Sequence, residues 1–100
     1  MLRVTVERSG GLAGLRVASQ ASSDGLSAEA GQKLSSLVEA AGFFHLPEVL
    51  APARQGADRF QYKIGVESEG QSHTIAAEES ALPAELRELV NWVLTNGERK

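Results

Sequence analysis

No cysteine occurs anywhere in the chain, and that absence removes a disulfide framework, thiolate metal sites and cysteine nucleophiles together. Positive charge is also short. Lys and Arg number 10 against 13 Asp and Glu, a formal net charge of -3 at pH 7, so no basic face is rich enough to follow a phosphate backbone and nucleic-acid binding is a poor fit. Nothing in the sequence approaches the length of a membrane span. Met1 leads straight into Leu-Arg-Val-Thr-Val, without the charged segment and apolar run of a leader, so the expected location is the cytoplasm.

Catalytic groups are equally sparse. His45 and His73 are the only histidines; they lack the i,i+4 helical spacing of a zinc pair, and no Ser or Asp pattern near them suggests a triad. Glu78 and Glu79 are adjacent at a strand end, where successive side chains point in different directions. Asp58 is one of two aspartates and stands where a polar loop enters a strand, a place for an Asx-type turn or a functional contact. The sequence therefore shows no catalytic site, and no cofactor or bound metal is expected.

What is present is the pattern of one small folded domain over residues 1–100, able to bury roughly two-thirds of its unfolded surface. Leu2, Val4 and Val6 alternate with Arg3, Thr5 and Glu7, the period of a strand with one buried face. Leu15, Val17 and Ser19 repeat the pattern more weakly, and residues 20–24 read as a loop. A helix capped by Ser27 carries Ala30, Leu34, Leu37, Val38 and Ala41 on one stripe and ends at Gly42. Gly31, on the edge of that stripe, suits a close approach of helix to sheet. Phe43 to Leu50 is a packed connection interrupted by Pro47, and Ala51 to Asp58 is a polar loop.

Arg59 to Glu67 is the clearest strand, with Phe60, Tyr62, Ile64 and Val66 on one face. A turn at residues 68–71 returns the chain through Ser72 to Ala77. Pro83 opens a second helix whose buried stripe is Leu82, Leu86, Leu89, Val90 and Val93, flanked by Trp92 and closed by Gly97. The order ββαββα predicts an α+β fold: a four-stranded antiparallel sheet with two helices packed on one face. The opposite face would be polar, carrying Arg3, Thr5, Glu7, Arg16, Gln61, Lys63, Glu67, Ser72 and Thr74.

The stretch Arg8 to Gly14, Arg-Ser-Gly-Gly-Leu-Ala-Gly, joins the first two strands. Gly10, Gly11 and Gly14 permit backbone conformations closed to other residues, yet Leu12 among them is large and apolar where a hairpin loop is more often polar. Either the leucine tucks onto the core or the loop presents it to a partner. A phosphate cradle is a poor match, because the stretch lacks the Lys and Ser/Thr of a P-loop and leads into a strand rather than a helix.

That stretch, followed in order by Leu-Val-Glu-Ala-Ala-Gly-Phe-Phe-His-Leu-Pro (Leu37 to Pro47) and Asp-Arg-Phe-Gln-Tyr-Lys-Ile (Asp58 to Ile64), resembles emfourin, the proteinaceous inhibitor of protealysin. The resemblance runs over most of the chain and implies a small cytoplasmic bacterial protein, not an enzyme, that inhibits thermolysin-like zinc metalloproteases. On that footing the expected partner-binding residues are Ser9, Gly10, Gly11, Leu12, Ala13 and Gly14, with Arg54 and Asp58 in a second contact over 53–58. Steric blocking is favoured over metal capture, since no thiol is available to seize the zinc, and the free chain is expected to be a monomer. The competing expectation is a nonenzymatic interaction module with a different partner.

Overall fold

The computed structural model describes residues 1–10, 15–50 and 60–99. Its elements in chain order are β1 (Leu2–Gly10), β2 (Leu15–Ser22), α1 (Ala28–Ala41), a 3-10 turn (Phe43–His45), β3 (Val49–Leu50), β4 (Phe60–Ser68), β5 (Gln71–Glu78), a second 3-10 turn (Glu79–Ala81), α2 (Ala84–Asn96) and β6 (Glu98–Arg99). The strands form a six-stranded sheet in the order β3-β5-β4-β1-β2-β6. All neighbours are antiparallel except β3 and β5, which run parallel.

The α+β class and the two helices agree with expectation, but the sheet is mixed rather than four-stranded and antiparallel. The four expected strands form its middle, and a two-residue strand lies on each edge. Val49 and Leu50 pair with Ala76 and Ala77, where the Ala76 N–H donates to the Glu48 carbonyl at 2.8 Å. Glu98 and Arg99 pair with Gln20 and Ser19. Two residues are too few to show an alternating period, so neither edge strand leaves a trace in hydropathy. The first two strands also run longer than their patterns suggest: Arg8, Ser9 and Gly10 belong to β1, and residues 20–22, expected in a loop, complete β2.

β1 is central and paired along its length on both sides. Val4 stands between Ala21 and Val66, and Val6 between Ser19 and Ile64. The period of two then puts these residues, with Tyr62, Ile75 and Ala77, on the buried face. The opposite face carries the polar row expected for it, including Thr5, Lys63 and Thr74. β4 and β5 are joined through Glu69 and Gly70, both at positive φ (48° and 82°), as the tight hairpin turns that match strand twist require.

α1 begins as its sequence indicates. The Ser27 hydroxyl accepts from the Ala30 N–H at 3.1 Å, and Gly42 ends the helix at φ 58° with its N–H donating to the Glu39 carbonyl. Leu34, Leu37 and Val38 are buried, each contributing about 1.5–3 kcal/mol relative to exposure. Gly31 does not serve close approach to the sheet. A Cβ there would meet Ser23 at 3.8 Å, an ordinary contact, because the neighbour is the turn after β2. α2 starts one residue later than its proline suggests: Pro83 is the extended N-cap and makes no side-chain cap bond. Leu86, Leu89, Val90 and Val93 are buried and Trp92 is half-buried at the core edge.

Helix α2 packs across β1 and β2, and α1 packs against α2. The connection after α1 closes one end of the core. Phe43 is buried with its ring edge-on to His73 (centroids 5.6 Å apart), and His73 Nε2 donates to the Leu46 carbonyl at 2.7 Å. His73 is thereby a structural residue, while His45 is exposed.

Candidate functional site

The hairpin of β1 and β2 ends at the pair Gly10 and Leu15, and Gly10 pairs on its other side with Phe60, the first residue of β4. Gly10 has φ 117°, a region open to glycine and costly for other residues. Leu50, the last described residue before the second break, pairs with Ala77, which stands opposite Tyr62 in β4. Gly10, Leu15, Leu50 and Phe60 therefore lie at one end of the sheet. Four inter-strand gaps separate β2 from β3 across that end, a width of roughly 19 Å. The segments 11–14 and 51–59 both depart from and return to it.

Of the residues expected to bind a partner, Ser9 and Gly10 are on this end, at the terminus of β1. Gly11, Leu12, Ala13, Gly14, Arg54 and Asp58 lie outside the described residues. Ser9 pairs with Arg16 and Gln61 and belongs to the polar face.

Among the described residues two cationic side chains, Arg8 and Arg16, stand just inside the end, in different settings. On the polar face Arg16 donates to Glu7 at 2.8 Å. The hydrogen bond to Glu7, and secondarily its charge, holds the Arg16 pKa above the ordinary arginine value. On the helix side of the sheet, Arg8 follows Val4 and Val6 in the inward row and lies over the Phe60 ring, 4.9 Å from its centroid. Arg8 and Phe60 are both half-buried. Phe60 lies on the apolar row expected for it, whereas Arg8 is not among the expected partner-binding residues. The available signal was a charge continuing a row of inward valines, on a strand that must pair with an aromatic one.

Among the described residues no group of three or more His, Cys, Asp or Glu is placed to hold a metal ion, and no buried side-chain polar atom lacks a hydrogen-bond partner. A shallow concavity of about 1200 Å³ lies over β3, β5 and β4 between Glu48, Val49, Lys63 and Thr74. No helix among the described residues is long and apolar enough to cross a membrane.

No curated protein and no solved structure matches the chain. The family model for Emfourin matches residues 6–94, a span from the middle of β1 through most of α2 that includes both segments rooted at this end of the sheet. By that match over most of its length, the chain belongs to the Emfourin family.

Proposed function

We propose that the chain inhibits a thermolysin-like zinc metalloprotease of the protealysin type by occupying its substrate cleft with residues 9–14. Family membership speaks for a metalloprotease-inhibitor role. The observation that carries the reading further is the double pairing of Gly10 with Leu15 and Phe60, which roots the glycine-rich segment and the segment containing Arg54 and Asp58 side by side. A single cleft can meet both.

In this reading Leu12 is the anchor. Thermolysin-like enzymes cleave on the amino side of bulky apolar residues, and one large apolar side chain among glycines suits that pocket. Residues 53–58 make the second contact. The β1–β2 ladder, paired over eight positions and flanked by β4, supplies a rigid base, so little ordering of the roots is needed on association. The zinc belongs to the protease, and the inhibitor excludes substrate without coordinating it. Free, the chain is a bacterial cytoplasmic monomer.

The test is a stoichiometric titration of a thermolysin-like protease encoded by the same genome, followed by peptide hydrolysis. Loss of activity with the chain intact is the expected result. Leu12→Asp should weaken inhibition about tenfold or more, as loss of a buried interface anchor does, with the melting temperature unchanged. Full protease activity, or rapid digestion of the chain, would overturn the inhibitor reading in favour of an interaction module with another partner.

A further inference from the structure

We propose that Arg8 is a specificity-determining residue of the same surface, one that takes a carboxylate on the rim of the protease cleft; this rests on the inhibitor reading above. The inward row of β1 runs Val4, Val6, Arg8, Gly10. Val4 and Val6 are fully buried, whereas Arg8 is half-buried at the point where the row reaches the end of the sheet. Its strand partners are Val17 and Tyr62. An aliphatic side chain would continue the apolar row there, so the guanidinium is a departure that core packing does not require.

The guanidinium has partly left water and gained the Phe60 ring face, at 4.9 Å. Stacking engages the flat face of the group and leaves its in-plane N–H donors available. Among the described residues no carboxylate lies within ion-pair distance of Arg8; the ion pairs formed are Glu7 with Arg16 and the Met1 amino group with Glu69. The contrast with Arg16 is instructive, since its charge is matched by Glu7 on the same hairpin. Arg8 is thus a pre-positioned fork of donors, held by an aromatic ring beside Gly10. The chemistry that completes it is a planar anion met edge to edge, which on a protein partner is an Asp or Glu side chain.

The experiment measures inhibition of the same protease by wild type, Arg8→Met, Arg8→Lys and Leu12→Asp, at low and high salt, with the melting temperature of each. Arg8→Met keeps an extended apolar stem against Phe60 and removes the charge. It should weaken inhibition about tenfold or more, the scale of losing one partner of a desolvated charge pair, and should flatten the salt dependence. Arg8→Lys should keep the salt dependence of wild type and most of its potency. Potency and salt dependence of Arg8→Met equal to wild type, while Leu12→Asp fails to inhibit, would overturn the role of Arg8 and leave the inhibitor reading intact. Equal losses in Arg8→Met and Arg8→Lys that follow their melting temperatures, with the salt dependence unmoved, would also overturn it by showing a structural role. Absence of inhibition by wild type would remove the inhibitor reading itself.

Discussion

Replacing Gly97 with alanine tests how closely the end of α2 is fitted to the sheet. Gly97 has φ -79° and ψ 175°, extended values that any residue adopts, so conformational strain is not what requires glycine here. Space is. A Cβ at this position would stand 2.6 Å from the Gln20 carbonyl oxygen and 2.6 Å from that of Val93, with the Gln20 carbonyl carbon at 3.1 Å. All three are backbone atoms of ordered elements, and none can swing aside as a side-chain tip could. The Gly97 N–H also donates to the Val93 carbonyl at 2.8 Å, so retreat from one clash loosens the helix's last bond.

Forcing a methyl group into a packed site costs about 1–3 kcal/mol, offset by about 0.4–1 kcal/mol from the stiffer unfolded chain. The expected net loss is about 1–2 kcal/mol, or roughly 5–15 °C in melting temperature for a domain of this size. Thermal and urea denaturation of Gly97→Ala would read this directly. In a chain ending at Gly97, where β6 no longer ties this residue to β2, the same substitution should cost clearly less, and the coupling between the two changes isolates the contact. A Gly97→Ala variant as stable as wild type would refute the argument.

Gly31→Ala should act in the opposite sense. The new methyl group meets only ordinary contact with Ser23, and a helix-interior glycine gives way to the best helix former, so urea unfolding should show a gain of about 0.5–1 kcal/mol. His73→Ala removes the donor to the Leu46 carbonyl and the edge-on contact with Phe43; a loss of about 1–3 kcal/mol is expected in the same assay, with protease inhibition at saturating concentration retained because His73 lies outside the loop end.

Much of this architecture is written in local patterns. The stripes of α1 and α2, the Ser27 cap and the Gly42 terminus follow from spacing that a helix must bury or satisfy, and the alternation of Val4, Val6, Ile64, Val66 and Ile75 assigns their face of the sheet. The two edge strands were hidden because pairing of Val49–Leu50 and Glu98–Arg99 is decided by where the chain has already been brought, not by their own residues. The role of Gly97 was hidden for the same reason: as a helix end it is ordinary, and only the approach of Gln20 from a distant strand makes its missing side chain necessary. At the candidate site the residues Ser9 to Gly14 stood out by composition, but the stacking of Arg8 on Phe60 depends on the β1–β4 register, which joins positions more than fifty apart.

That register also governs how the chain reaches its native state. The central strand lies between a neighbour made at once, β2, and another, β4, whose partners for Leu2 to Gly10 run from Ser68 back to Phe60. During synthesis the first hairpin emerges with one long side unpaired, and it stays so until roughly two-thirds of the chain has been made. The entropy of closing that long loop is met before most of the sheet's stabilisation appears, which places folding between the fast helical bundles and the slow all-β topologies.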